Sequence, residues 1–181
     1  MLFVSAVILA SFVAGCVYGS FFEWALHRFL MHRPFWGFTY PFRAHAQVHH
    51  VEYGSGPDYY GQPGSGHENV TMAWWNSPIL IAVNAPVGIL AALAFGTWWI
   101  VPGFLLSMVA YYGSYEYLHW CMHVRGDRWF QKTRLFRWID RHHHVHHLKP
   151  DRNLNVVLPI ADFVFRTRLA RAPMAEPVQS P

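Results

Sequence analysis

Residues 141–147 read RHHHVHH, and five of the thirteen histidines of the chain lie in this one run. A purification tag lies at a chain end, whereas Val145 interrupts this run and 34 residues follow His147. The remaining histidines form three shorter clusters and one isolated residue: HRFLMH (27–32), HAQVHH (45–50), HWCMH (119–123) and His67. We therefore expect a fold that brings the three clusters to the run at 141–147.

The chain is apolar, and its positive charge is concentrated in the last third. Hydrophobic residues make up 53% of the sequence and charged residues 13%, whereas about 25% of residues are charged in a typical soluble protein. Eleven of the fourteen Lys and Arg residues follow His123. This combination favours an integral membrane protein with a basic cytoplasmic face over a nucleic-acid-binding protein, and we expect no nucleic-acid partner.

Two uncharged stretches are long enough to cross a membrane. Met1 to Phe22 suffices for one span, because about 20 helical residues cross the roughly 30 Å hydrocarbon core, and this helix is expected to continue to His32. Asn69 to Tyr115 has 47 residues without a charge or a histidine, which leaves room for two spans joined by a turn near Gly96. Ser5, Ser11, Gly15 and Gly19 are small residues, the last three at intervals of four, and they predict a helix–helix contact.

We therefore predict an all-α, multi-pass transmembrane bundle of about three to four spans. The number depends on whether Met1 to Phe22 crosses once or forms a re-entrant hairpin. Every histidine cluster then lies at one membrane face, which the positive-inside rule makes the cytoplasmic face. Arg125 to Arg141 is expected to form a basic interfacial helix in a cap that carries the histidines. We assign residues 1–171 to a single integral-membrane domain and residues 172–181 to a disordered tail.

Helical spacing predicts which histidines can bind one ion together. Successive residues of an α-helix are about 100° apart, so residues at i and i+4 share a face. Four pairs have this spacing: His119/His123, His45/His49, His143/His147 and His142/His146. His50 is turned about a quarter-turn away from His45 and His49. His27 and His32, at i and i+5, lie about 140° apart on an α-helix, so they would not chelate one ion symmetrically, but they could flank a site that holds two.

The number of imidazoles exceeds what one metal ion needs. A structural zinc is satisfied by four ligands and a catalytic zinc by three with a water, so nine or ten histidines indicate two ions. Imidazole suits iron, zinc, copper and nickel, and the excess favours redox chemistry at a pair of irons. Glu116 and Asp140 are candidates to orient the histidine rings through hydrogen bonds. His67 and Glu68 are candidates for extra ligands or for part of a lid.

Other catalytic motifs are absent from the sequence. It contains no GxGxxG, no P-loop, no nucleophile elbow and no HExxH, and no haem or flavin motif. Any electrons for a redox reaction must therefore come from a separate protein.

Between Glu23 and Arg168 the sequence resembles the fatty acid hydroxylase/sterol desaturase superfamily of membrane di-iron oxygenases. The family pattern is HxxxxH, HxxHH, HxxxH and HxxHH, which stands here as HRFLMH, HAQVHH, HWCMH and HHVHH. The segment Asn153 to Arg168 also resembles the closing segment of the family, with matching residues at Asn155, Pro159, Asp162, Phe165 and Thr167.

The resemblance implies a di-iron centre, with zinc as a substitute, that uses dioxygen to insert one oxygen atom into an unactivated C–H bond of a bilayer lipid. It also implies ten ligands: His27, His32, His45, His49, His50, His119, His123, His143, His146 and His147. The chain departs from the family in its second cluster, where three residues rather than two precede the HH pair, which bears on His45. In the last cluster the family spacing selects His143, whereas the spacing of the second cluster selects His142.

The resemblance leaves the substrate open. The segment YEYLHWCMH (115–123) and the closing segment are similar to those of fatty acyl or sphingolipid hydroxylases, which we favour. The short chain and the HRFLMH cluster also suit carotenoid ring hydroxylases, and lipid desaturation is a further alternative. A membrane metal-binding or transport protein is the non-enzymatic alternative. Transporters place ligands near the bilayer mid-plane, whereas the predicted spans contain no histidine.

Overall fold

The computed structural model describes residues 1–61 and 72–170. All secondary-structure elements in these two ranges are helical, which confirms the predicted all-α class for the described residues. The helices are α1 (Leu2–Leu26), α2 (Tyr40–Phe42), α3 (His50–Glu52), α4 (Asn76–Phe95), α5 (Ile100–His123), α6 (Arg134–Leu148) and α7 (Ile160–Val164). Two π-helical segments, His27–Met31 and Arg43–His49, and two 3₁₀ turns, Pro57–Tyr59 and Trp129–Lys132, complete the set. The predicted roles of His67 and Glu68 and the predicted tail at 172–181 fall outside the described residues.

Helices α1 and α5 pack closely and run parallel. A Cβ atom added to Gly15 would lie 1.9 Å from Oγ of Ser107, and one added to Gly103 would lie 2.0 Å from Oγ of Ser11. Gly19 makes the same kind of contact with the ring of Tyr111. The three contacts advance by four residues on both helices, so the predicted small-residue contact is confirmed, and its partner is α5.

Helix α4 forms a hairpin with α5. Gly96 has φ +67, a left-handed conformation that ends α4 and that a residue without Cβ adopts at little cost. This is the predicted turn. Gly88 of α4 contacts the ring of Phe104 of α5, and the same ring packs against Tyr18 of α1, so α1 and α4 both pack on α5. A hydrogen bond from the Tyr18 hydroxyl to Oδ1 of Asn84, at 2.6 Å, bridges the cleft between them.

Two of the described helices are long and apolar enough to cross a membrane. They are α1 with its π-helical continuation, Leu2–Met31, and α4, Asn76–Phe95. Their large apolar side chains are exposed on the outer surface of the bundle, Leu9, Val13, Val83 and Leu90 among them. Helix α5 has 24 residues but carries more polar groups, and many of its side chains are buried between the other two helices.

The residues after α5 fold back over the histidine-bearing end of the bundle. Phe136 and Ile139 of α6 pack in one apolar cluster with Cys121 and Met122 of α5. The hydroxyl of Thr133 caps α6 by accepting a hydrogen bond from the backbone N–H of Phe136. This packing directs the histidine face of α6 inward, so that His142, His143, His146 and His147 are all buried.

Candidate metal centre

The structure gathers ten histidines into two adjacent groups at one end of the bundle. Group 1 consists of His27, His32, His45, His50 and His146, and group 2 consists of His49, His119, His123, His143 and His147. Within each group the candidate ligand nitrogens all lie within 4.8 Å of one another, and each group could hold a metal ion. These ten residues are the same ten that the resemblance implied as ligands.

A π-turn brings His27 and His32 together in group 1, so the expected separation of about 140°, which assumed an α-helix, is wrong. The backbone N–H of His32 donates to the carbonyl of His27 at 3.2 Å. A helix with i to i+5 hydrogen bonds places residues five apart one turn above the other. The two rings are consequently stacked, with centroids 5.0 Å apart.

A second π-turn corrects the predicted pairing in HAQVHH. The α-helical period paired His45 with His49, but the segment Arg43–His49 is π-helical and the N–H of His50 donates to the carbonyl of His45. His45 therefore joins His50 in group 1, where their Nε2 atoms are 3.1 Å apart. His49 belongs to group 2.

The two HH dipeptides each serve both groups. His49 and His147 belong to group 2, whereas their neighbours His50 and His146 belong to group 1. Consecutive helical residues point about 100° apart, so an HH pair placed between two sites supplies one ligand to each. The rings of His50 and His147 stack at 4.2 Å where the groups meet.

The remaining pairs follow the α-helical period. His119 and His123 of α5, and His143 and His147 of α6, all lie in group 2, as their i and i+4 spacing predicts. The predicted alternative pair His142/His146 is not formed. His142 is turned towards Asp162, with Nε2 3.1 Å from Oδ2, and the structure places His143 rather than His142 in a group.

Backbone carbonyls orient four of the ten rings. In group 1, Nδ1 of His27 donates to the carbonyl of Leu154 and Nδ1 of His146 donates to that of Arg152 at 2.9 Å. In group 2, Nδ1 of His147 donates to Tyr53 at 2.6 Å and Nδ1 of His123 donates to Tyr59 at 2.8 Å. Because a carbonyl only accepts, these four rings carry their proton on Nδ1 and turn the lone pair of Nε2 into the group.

Two ring nitrogens of group 2 are buried without a hydrogen-bond partner. Nε2 of His143 lies 3.1 Å from Nε2 of both His123 and His147, and Nε2 of His49 lies 3.3 Å from Nε2 of His147, so protons on His143 and His49 can be shared with both acceptors. If Nε2 of His143 carries its proton, its Nδ1 is left as an unpaired acceptor, and that atom is buried without a partner. Nε2 of His119 is also buried without a partner. A cation bound in group 2 would instead accept the inward Nε2 lone pairs, including that of His119.

The spacing of the nitrogens fits a metal ion. Nε2 atoms of neighbouring rings are 2.8 Å apart for His27 and His45 and 3.0 Å apart for His32 and His146. Ligands at about 2.0–2.1 Å from an ion, at right angles or tetrahedral angles, are about 2.8–3.4 Å from each other. Both groups consist of imidazoles alone, a donor set that suits iron, zinc, copper and nickel.

Burial keeps the rings neutral, which is the form that binds a metal. Burial lowers the pKa of His45, His143 and His146 well below the ordinary value, and neighbouring histidines lower it further. Burial likewise lowers the pKa of His32 to about 4 and that of His50 to about 3. The lone pairs are therefore available at neutral pH.

The predicted carboxylates lie outside the groups. Oδ1 of Asp140 accepts a hydrogen bond from the Tyr59 hydroxyl at 3.2 Å, and the carbonyl of Tyr59 orients His123, so Asp140 reaches group 2 through Tyr59. Oε2 of Glu116 instead accepts from the backbone N–H of Met72 at 3.1 Å. Among the described contacts, Glu116 makes no hydrogen bond to the ten histidines.

Sequence reasoning missed two buried carboxylates that hold the segment after α6. Asp162, fully buried, accepts from the backbone N–H groups of Leu154 and Asn155 at 3.0 and 2.8 Å. Glu23 of α1 accepts from the N–H of Val156. Asp162 was matched only as part of the closing segment, and Glu23 was read as part of a continuing helix.

A cavity of about 260 Å³ adjoins both groups. His45 of group 1 and His49 and His119 of group 2 form part of its wall. The rest of the wall comes from Tyr40, Ala44, Val48, Glu52, Tyr53, Met72 and Ala73. A small molecule in this cavity would contact imidazoles of both groups.

Comparison with known proteins finds no match to a protein-family model, to a curated protein or to a solved structure.

Proposed function

We propose that this protein is a membrane-bound di-iron oxygenase that hydroxylates a C–H bond of a lipid. The observation that carries the proposal is the division of ten histidines into two adjacent all-imidazole groups of five at the end of an apolar helical bundle. The resemblance of the four histidine clusters to the fatty acid hydroxylase/sterol desaturase superfamily supports the choice of iron and of a fatty acyl or sphingolipid substrate.

A pair of irons would supply the reduction of dioxygen, in which one oxygen atom enters the C–H bond and the other leaves as water, with two electrons from a separate protein and two protons. The chain itself supplies ten neutral imidazoles, four of them fixed by backbone carbonyls. It also buries most of these rings, which excludes bulk water from the two groups.

The cleft between α1 and α4 is the proposed path of the lipid. Its inner part is a small, apolar cavity of about 60 Å³ between these helices and α5. Gly19, Phe22, Leu26, Leu80, Ile81, Met108 and Tyr115 contribute to its wall. Met72 lines both this cavity and the histidine-lined cavity. An alkyl chain from the bilayer would therefore reach the metal groups along an apolar route.

The proposed membrane placement uses three spans. Helices α1 and α4 have the length and composition to cross, and α5, packed between them, would cross with its polar side chains shielded. All ten candidate ligands then lie at one face, on the same side as the basic residues that follow His123. The positive-inside rule makes this the cytoplasmic face.

Lipid profiling tests the proposal. Cells that express the protein should accumulate a hydroxylated lipid that is absent from cells expressing His146→Ala, which removes a group 1 imidazole. His144→Ala is the matched control, because His144 lies outside both groups and contacts the carbonyl of Ser55. Product should persist with the control. Identical lipid profiles for the wild type and His146→Ala, in a host that supplies electrons, would exclude the proposed activity.

A further inference from the structure

Each metal group is supported by a different chain segment. The two carbonyls that orient group 1 rings belong to Arg152 and Leu154, directly after α6. The two that orient group 2 rings belong to Tyr53 and Tyr59, in the segment after α3. The groups touch through their rings, but the backbones that fix those rings are separate.

Asp162 holds the segment that supports group 1. Oδ1 accepts from the N–H of Leu154 at 3.0 Å, and Oδ2 accepts from the N–H of Asn155 at 2.8 Å. The Thr167 hydroxyl donates to Oδ1, and Nε2 of His142 lies 3.1 Å from Oδ2. Both carboxylate oxygens are therefore fully engaged in a buried site, where a lost partner is costly.

Glu23 joins this segment to α1. Its carboxylate accepts from the N–H of Val156 and from Nδ2 of Asn155 at 3.1 Å. Glu23 lies one turn before His27 on the same helix. Asp162 binds the N–H of Leu154, and Glu23 of α1 binds the N–H of Val156. These two contacts fix the backbone around Leu154, whose carbonyl accepts a hydrogen bond from Nδ1 of His27.

Tyr59 and Asp140 form the corresponding support for group 2. The hydroxyl of Tyr59 donates to Oδ1 of Asp140 at 3.2 Å, and its backbone carbonyl accepts from His123. Tyr59 is almost fully buried, and its ring packs against the rings of His123 and His147. The side chain and the backbone of one residue therefore connect a carboxylate on α6 to a ligand on α5.

We propose that Asp162 is a positioning residue for group 1 alone and that the Tyr59–Asp140 pair is the positioning unit for group 2 alone, so that each metal ion is retained independently of the other. This inference rests on the proposed function only in requiring that both groups bind metal. Hydrogen bonds that orient ligating imidazoles typically change metal affinity about 10- to 100-fold, and that is the expected effect at the supported group.

The test measures metal bound per chain for the purified full-length protein after exposure to a competing chelator. Asp162→Asn replaces one acceptor oxygen by an NH₂ group, which cannot accept from the backbone N–H or from Thr167. Tyr59→Phe removes only the hydroxyl and keeps the carbonyl that orients His123. Each variant should retain about one ion at a chelator concentration at which the wild type retains two.

Double variants identify which ion remains. Asp162→Asn with His27→Ala should still retain one ion, whereas Asp162→Asn with His123→Ala should retain almost none. Tyr59→Phe should show the opposite result: combined with His123→Ala it should still retain one ion, and combined with His27→Ala it should retain almost none. If Asp162→Asn loses both ions together, or if its remaining ion depends on His27, the inference is wrong.

Two further measurements separate this inference from folding and from the proposed function. Thr167→Val removes only the hydroxyl that donates to Asp162, so it should lower the metal affinity of group 1 without unfolding the protein. Co²⁺ titration of this variant, followed by visible absorption, should show one weakened site and one unchanged site. Two weakened sites would contradict the inference. A protein that retains two ions independently but oxidises no lipid would contradict the proposed function and leave the positioning roles supported. A wild type that binds no metal would overturn both.

Discussion

Nε2 of His142 lies 3.1 Å from Oδ2 of Asp162, and this contact turns His142 away from both histidine groups. The adjacent residue, His143, has its ring inside group 2. Neighbouring residues of one run, which spacing alone could not separate, therefore have different structural roles.

Alanine substitution should separate these two histidines. His143→Ala removes a group 2 imidazole, and we expect the protein to lose one bound ion. His142→Ala removes a hydrogen bond to Asp162 but no imidazole of either group, and we expect both ions to be present without a competing chelator. Metal analysis of the purified variants checks this, and loss of one ion from His142→Ala with two retained by His143→Ala would reverse the assignment.

One methyl group added at the α1–α5 contact should lower the stability of the protein. At Gly15 an added Cβ would lie 1.9 Å from Oγ of Ser107, whereas Gly113, on the same pair of helices, has no atom within 4 Å of an added Cβ. Alanine is favoured over glycine in helices by about 1 kcal/mol, so Gly113→Ala should be neutral or stabilising. Gly15→Ala should destabilise the protein by about 1–3 kcal/mol through overpacking.

Thermal unfolding in detergent measures both glycine variants under the same conditions. A lower midpoint for Gly15→Ala, with an unchanged or higher midpoint for Gly113→Ala, is the expected result. Equal midpoints would show that the two helices are not packed as closely as described.

The metal-free protein should lose stability in mild acid. Burial lowers the pKa of His32 to about 4 and that of His50 to about 3, whereas an unfolded histidine titrates near about 6.5. Between these values the unfolded chain binds more protons, so stability rises with pH. We expect the unfolding midpoint of the metal-free protein to fall steadily as the pH drops from about 6.5 towards 4.

His50→Gln should reduce that slope, because it removes one of the groups that titrate only on unfolding. The measurement is the unfolding midpoint of both proteins across the pH series. A midpoint that stays constant, or that rises in acid, would contradict the assignment of neutral buried rings.

The bridge between Tyr18 and Asn84 should limit the length of lipid chain that the cleft accepts. It crosses the cleft nine residues before His27 on α1, a distance of about 13 Å along the helix. Asn84→Ala removes the acceptor and opens the cleft, and we expect products with longer chains to increase several-fold. Val83→Ala, at an exposed position one residue earlier, is the control and should leave the chain-length distribution unchanged, and a distribution unaffected by Asn84→Ala would rule out this role.

Much of the fold is predictable from apolar length and small-residue spacing. The end of the first helix near Pro34, the turn at Gly96 and the packing role of Gly15 and Gly19 all follow from local sequence. These features depend on chain geometry and on close approach of backbones. The partner of α1 did not follow, because the small residues identify a contact face but not the helix that occupies it.

The assignment of ligands to groups was less predictable. An α-helical period joins His45 to His49 and separates His27 from His32, and the π-turns reverse both results. A π-turn has one more residue per hydrogen-bonded ring than an α-helical turn, and no single residue type marks it. The i+5 spacing in HRFLMH and within HAQVHH is the signal that could have indicated it, since two such pairs at one site are hard to reconcile with an α-helix.

The most direct test of the central claim combines iron analysis with isotope labelling. We expect purified protein to contain about two irons per chain, and lipid from expressing cells grown under ¹⁸O₂ to carry one ¹⁸O atom in a new hydroxyl group. His146→Ala should abolish the ¹⁸O label in the lipid and lower the iron content of the protein, whereas His144→Ala should change neither. Stoichiometric zinc in place of iron, together with no ¹⁸O in lipid when an electron donor is supplied, would contradict the account.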